Sequence, residues 1–420
     1  MALKSRDAGF RNILILFCML MALKSCQEKT SKSTSETQVQ TKKELTFVAK
    51  KIADSAKLWW AHTPVEINGD GITDLVFINN NASGGYLGYY EGQKGEGLWK
   101  LNVIAKKPPT GGLFASGDLE CADIDGDGDT DVLAIKHPGE WADADVRAEL
   151  FWYKNPEWDS YPIGTVPDAV KDVSFADFDN DGKIDLSVLT FEEHTLSVFK
   201  QNDADNWERV LFVNDNQALH EGMGTGDVDG DGYRDIVANG FVFYNPGKDL
   251  KNEWQEKNID TIWNNQEGDW SRNGTKIFMR DLDGDGKDEA FISHSERAGY
   301  PLKLYRNING SWESEIIADS IPACHTLQVY DFDKDGDYDV LAGINRGRAV
   351  NLNIDHFEIF IFLSEDNYQN WKPMVIGTEG IYNGQVADYD GDGDYDIFRY
   401  PDHESKDFYL LENRLVSSSE

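Results

Sequence analysis

Seven copies of one Asp/Gly-rich loop at near-constant spacing predict an all-β chain, folded as a seven-bladed β-propeller. Two further observations point the same way. A short aromatic strand and then a tryptophan stand between successive loops, and the last unit lacks one strand that the N-terminal segment can supply. The composition agrees: among 420 residues there are 38 Gly and 12% aromatics, which suits a turn-rich β protein, and 40% hydrophobic residues suffice for a packed core. Acidic residues number 75 against 40 basic ones, for a formal charge of −35. A nucleic-acid partner needs a basic footprint and is excluded on that ground. An anionic membrane is reachable only through an anchor.

The N-terminus reads as an address. Lys4, Arg6 and Arg11 precede an apolar run from Ile13 to Leu23, too short to span a bilayer and of the right length for a secretory signal. The run ends in Leu23-Lys24-Ser25-Cys26, which resembles a bacterial lipobox, although Lys24 stands where a small or apolar residue is usual. That resemblance implies cleavage before Cys26 and lipidation of its thiol. Gln27-Glu28 is similar to the short export signal of Bacteroidetes lipoproteins, which implies an outer-membrane or cell-surface location, with the periplasm as the alternative. The domain plan is therefore a signal at 1–25, a polar tether at 26–44, a propeller at 45–415 and a tail at 416–420, the whole acting as a monomer.

The loops carry acidic residues at positions one, three, five and nine, with Gly at position six. The six regular copies hold Asp123, Asp125, Asp127 and Asp131; Asp177, Asp179, Asp181 and Asp185; Asp227, Asp229, Asp231 and Asp235; Asp281, Asp283, Asp285 and Glu289; Asp331, Asp333, Asp335 and Asp339; and Asp388, Asp390, Asp392 and Asp396. A degenerate first copy has Glu66, Asn68, Asp70 and Asp74. Carboxylates at these offsets converge only on a tight turn, and hard oxygen donors in such a turn suit Ca²⁺. Without a cation, so many clustered carboxylates would repel. An EF-hand begins alike but has its last acid at position twelve and helical flanks. Here the flanks are strand-like, as in Val132-Leu-Ala-Ile and Ile236-Val-Ala-Asn.

Each unit then reads as four strands. A ends at the loop, B follows it, C is aromatic as in Leu150-Phe-Trp-Tyr-Lys, and D starts at Trp99, Trp158, Trp207, Trp254, Trp312 or Trp371. After the seventh loop only B and C remain. Phe47-Val-Ala-Lys-Lys-Ile-Ala has the D spacing, so the N-terminal strand is expected to complete the last blade and remove the free edges.

These features resemble the FG-GAP/VCBS repeat family over residues 45 to 415. The resemblance implies Ca²⁺ in the loops, with the first loop departing at Glu66 and Asn68. For function it is poorly specific. Members include adhesion and glycan-binding proteins, and also propeller-fold polysaccharide lyases and sugar dehydratases acting on uronate-rich or sulfated polysaccharides such as ulvan.

In such blades the Asp loops share one end, which leaves the opposite rim for chemistry. All eight His map near that rim. His220 and His325 lead into A strands, His137 and His294 follow B strands, and Arg346 and Arg348 lie in a B–C connection. Elimination across a uronic acid needs a base, an acid and a carboxylate holder. His220 and His325, then His137 and His294, are the acid and base candidates; Arg346 and Arg348 are the holders. Trp60, Trp141, Trp270, Arg297, Tyr300 and Tyr382 are the candidate contacts to the sugar, with the two tyrosines as further proton donors. Cys121 and Cys324 fall on the inner strands of blades two and six, too far apart for a disulfide. No phosphate loop, nucleophile elbow or zinc signature appears. A carbon–oxygen lyase acting on polysaccharide or oligosaccharide is one reading. A non-catalytic lipoprotein that binds a glycan or a protein at the cell surface is the other.

Overall fold

The computed structural model describes residues 43–56, 59–79, 85–137, 146–403 and 405–417. It contains seven four-stranded antiparallel sheets, the blades of a seven-bladed propeller, and a two-stranded ladder. Inner strands begin blades one to seven at His62, Cys121, Val170, Met223, Thr275, Cys324 and Tyr382, and each runs toward its Asp loop. The fourth strand of the last sheet is Phe47–Ala53, which pairs antiparallel with Phe408–Asn413.

The blades form because each B strand is buried on both faces. Asp131–Lys136, Asp185–Thr190 and Glu289–His294 contain no exposed position. D strands such as Ser311–Ala318 alternate and face solvent. The apolar cores lie between neighbouring blades rather than within them. One cluster joins Phe178 and Leu189 of blade three to Ile236 and Phe243 of blade four. Another joins Leu75 and Phe77 of blade one to Phe398 and Phe408 of blade seven, with Trp59 wedged fully buried between them. This cluster packs the first blade against the last.

A second stitch repeats around the ring. Near the end of several C strands stands an Asn or Gln whose side-chain amide donates to the loop of the preceding blade. Asn155 reaches the Ile67 carbonyl at 2.7 Å, Gln201 that of Ile124 at 2.8 Å, Asn245 that of Phe178 at 2.8 Å, Asn307 that of Val228 at 2.9 Å and Asn413 that of Phe332 at 3.1 Å. Blade one has Gly92 and blade six Ser364 at this position.

A short ladder joins the segments that flank the blades. Lys43–Glu44, expected in the tether, pairs with Val416–Ser417, expected in the tail. Cys324 is buried and Cys121 half-buried, both with free thiols. Cys26 and the signal lie outside the described residues, among which no helix is long and apolar enough to cross a membrane.

Candidate functional site

Two regions concentrate chemistry, one at each end of the blades. At the loop end the acidic residues have distinct jobs. The position-one carboxylate caps the turn: Asp123 accepts from the Gly128 N–H at 3.0 Å, Asp227 from Gly232 at 2.8 Å and Asp388 from Gly393 at 2.9 Å. Gly at position six has φ near +87° in these turns, as at Gly232, which L-residues avoid. The position-nine carboxylate turns inward. Asp235 accepts from the Val228 N–H at 3.0 Å and from the Asn245 N–H at 2.8 Å, tying the loop to strand C. Asp74, Asp131, Asp185, Asp339 and Asp396 make the same pair of bonds. Position nine is thus a backbone clamp as well as a member of the donor set.

The donor set suits a hard cation. In several loops three carboxylate oxygens lie within 4.8 Å of one another, as in Asp123–Asp125–Asp127 and Asp177–Asp179–Asp185. Buried oxygens of Asp125, Asp179 and Asp394 have no hydrogen-bond partner. Lys154 reaches Asp125 and Asp127, and Lys200 reaches Asp179 and Asp181, so two loops already draw positive charge inward.

At the opposite end the inner strands open on a cavity of about 340 Å³ in the central channel. Its walls are Trp60, Phe191, Trp270, Tyr382 and His403, and its polar groups are Lys171, Glu221, Lys276, Glu296, His325 and Asn383. Three β-bulges place three of these. Lys171 is the extra residue between the Val170 and Asp172 pairings, His325 that between Cys324 and Thr326, and Asn383 and Gly384 fall between Tyr382 and Gln385. A bulge re-aims one side chain while the strand continues, and here each aims a polar group into the channel. Glu221 enters just before an inner strand. Its backbone is held by the Thr275 N–H and the Asn239 amide, and Gly222 follows with φ 100°. A Cβ on Gly222 would lie 2.2 Å from the Thr275 hydroxyl oxygen, so only Gly allows this approach.

The cluster is buried and charged. His325 Nε2 is 3.2 Å from Glu221 Oε1 and 3.2 Å from Glu296 Oε1. Its Nδ1–H donates to Asn383 Oδ1 at 2.9 Å, and the Asn383 amide donates to the Trp60 carbonyl at 2.7 Å, which fixes the amide's orientation. Burial and Lys276 push the His325 pKa down, but the two glutamates outweigh them and hold it above 6.5. His62, His194, His220, His294 and His403 all shift the other way through burial, His220 and His403 to about 4 and His294 to about 3. Glu221 is held well below the usual range: burial opposes ionisation, and Lys171 at 2.9 Å and His325 overcome it. The Tyr382 ring packs 4.3 Å from the rings of both His325 and His403, and burial drives its pKa far up.

The remaining sequence candidates fall in four groups. His325, Tyr382, Trp60 and Trp270 line the cavity. Arg348 lies over Trp270 at 4.8 Å and pairs with Glu296 at 3.1 Å, while Arg346 pairs with Asp402; both guanidinium groups are already engaged. His294, Arg297 and Tyr300 build the neighbouring loop. His294 Nδ1 accepts from the Glu296 and Arg297 N–H groups, so its Nε2–H donates to Gln266 at 2.9 Å, and Arg297 binds Ser271 at 3.0 Å and the Glu267 carbonyl at 3.0 Å. Tyr300 packs on the His294 ring at 4.2 Å. This network shapes the segment that presents Trp270. His220 is buried against Phe191 and His194, and His137 is buried after its B strand; neither lines the cavity. Trp141 lies outside the described residues.

Sequence reasoning missed Glu221, Glu296, Lys171, Lys276 and Asn383. A glutamate beside a rim histidine, as in His220-Glu221, was the available signal, but it was one among 75 acidic residues.

The comparisons agree with this architecture. The FG-GAP-like repeat profile matches residues 66–134, 123–188, 177–238 and 281–342, more than half of the chain, which therefore belongs to the FG-GAP-like repeat family. No curated protein matches. Among solved structures the chain is similar to BBS1N in complex with ARL6DN, at 11% identity and TM-score 0.53, covering 89% of this chain and 97% of that one. It is also similar to the α-L-arabinofuranosidase ARB93A from Fusarium graminearum in complex with an iminosugar inhibitor, at 11% identity and TM-score 0.50, covering 89% and 98%. At such identities both show the propeller fold alone.

Proposed function

We propose that the chain is a carbohydrate-active lyase or hydro-lyase that eliminates across a uronic acid unit held in the channel cavity. The observation that carries this reading is His325, held as an imidazolium between Glu221 and Glu296 on the floor of an aromatic-walled cavity that also holds a neutral histidine, His403. Aromatic walls suit sugar faces. His403 carries a buried Nε2 without a hydrogen-bond partner and takes the C5 proton. The electron pair forms the C4–C5 double bond, the C4–O bond breaks, and His325 gives its Nε2 proton to the leaving oxygen. The proton taken by His403 returns to solvent, and water restores that of His325.

In this reading the seven loops hold Ca²⁺ through the residues named above and stiffen the blades, while the pairing of Phe47–Ala53 fastens the ring. Lipid on Cys26 places the monomer at a bacterial outer membrane or cell surface, where it meets polysaccharide such as ulvan. The test is absorbance near 235 nm on mixing Ca²⁺-loaded protein with uronate polysaccharides and their oligosaccharides, followed by mass spectrometry. A rise with shortened chains identifies a lyase, and a rise with loss of water a hydro-lyase. Reducing ends without absorbance would mean hydrolysis by the Glu221–Glu296 pair, whose oxygens lie within 4.8 Å. Saturable binding with no product would leave a glycan-binding lipoprotein.

A further inference from the structure

The basic groups around the cavity are not equivalent. Lys171 is committed to Glu221 at 2.9 Å, Arg348 to Glu296 at 3.1 Å and Arg346 to Asp402. Lys276, the second residue of the inner strand Thr275–Arg280, has no ion pair or hydrogen bond from its ammonium group among the described residues. It lines the 340 Å³ cavity and also the 390 Å³ cavity that continues down the channel, so it stands where the two meet.

Asp172 and Asp118 take other partners. Asp172 accepts the Gly222 N–H at 2.8 Å and Asp118 accepts those of Leu119 at 2.9 Å and Val173 at 3.3 Å. Lys276 acts on both only at longer range, lowering the pKa of each against the burial that raises it. A half-buried ammonium with lost hydration and no partner is a receptor for an anionic group. We infer that Lys276, rather than Arg346 or Arg348, receives the substrate's carboxylate and makes the site selective for uronates over neutral sugars. This rests on the elimination reading for the identity of the ligand, and it concerns binding alone.

The test compares D-glucuronate with its methyl ester by isothermal titration calorimetry on the full mature chain. Wild type is expected to prefer the acid by about tenfold or more, the scale of one charge-assisted contact. Lys276→Met should abolish that preference while binding the ester within about twofold of wild type, as expected for loss of one charged contact. Because Lys276→Met loses a charge in the channel, a second measurement uses the unmutated protein. Reductive ¹³C-methylation labels the lysines, and the Lys276 resonance, assigned with Lys276→Arg, should shift with glucuronate and not with the ester. Undiminished preference in Lys276→Met, no preference in wild type, or an unmoved resonance each overturns the inference. Preference lost in Lys276→Met without any unsaturated product from the polysaccharide panel would retain Lys276 and discard elimination. Elimination with unchanged KM in Lys276→Met would do the reverse.

Discussion

The two ends of this propeller are built on opposite principles. At the loop end one solution is repeated seven times, each using residues close together in sequence. At the rim end one site is assembled once, from Lys171 of blade three, Glu221 before blade four, Lys276 and Glu296 of blade five, His325 of blade six and Asn383 of blade seven. The loop end is redundant, so losing one copy leaves six. The rim end is not, since Lys171, Glu221, Glu296 and His325 are each balanced by a neighbour on a different blade. Redundancy suits a scaffold, and interdependence suits a site whose protonation states must be set.

Perturbing whole ends should separate them most clearly. On the proposal that the loops hold Ca²⁺, a chelator addresses every loop at once and is expected to lower Tm by about 10 °C or more in differential scanning calorimetry, since ligand binding to the native state adds to stability. An unchanged Tm would break the comparison at the loop end. Next in size is Glu221→Gln, which strips the partner from both Lys171 and His325 and should cost about 3–5 kcal/mol by urea unfolding, as for other broken buried pairs. A cost below about 1 kcal/mol would mean that the rim charges are solvated.

Asp235→Asn keeps the shape of one clamp but loses an acceptor for the Val228 or Asn245 N–H, and should cost about 1–3 kcal/mol. Asn245→Ala removes one stitch between blades three and four and should cost about 1 kcal/mol, with the other blades unaffected in hydrogen exchange.

The smallest effect is a pH dependence. The folded pKa of His325 is raised, so its charge stabilises the fold fully below about pH 6.5, and that contribution fades as pH climbs through the folded value. The stability difference between wild type and His325→Gln should therefore be largest near pH 5.5 and shrink toward pH 9. If the two stability curves run parallel across that range, the imidazolium assignment fails.

The ends also differ in how far they were legible. The Asp loops declare themselves because their period survives translation along the chain, and the D-strand tryptophans share it. The Asn and Gln stitches were equally periodic, at Asn155, Gln201, Asn245, Asn307 and Asn413, but polar residues at strand ends do not stand out. At the rim, His325, Tyr382, Trp60 and Trp270 were legible as rare residue types in the right connections. Arg346 and Arg348 were legible too, but the Asp402 partner of Arg346, 56 residues away, was not.

Repetition, composition and spacing alone therefore determined the seven blades, the Asp/Gly turns and the end of the ring left free for a site, because each follows from contacts within about one unit of sequence. Tertiary structure decided which rim residues meet. Bulges at Lys171, His325 and Asn383 are single-residue slips in pairing with no composition of their own, and they turn those side chains into the channel. Burial then decided charge. Of the histidines whose pKa is shifted, His325 alone gained two carboxylates to keep its proton, while His62, His194, His220, His294 and His403 lost theirs to desolvation.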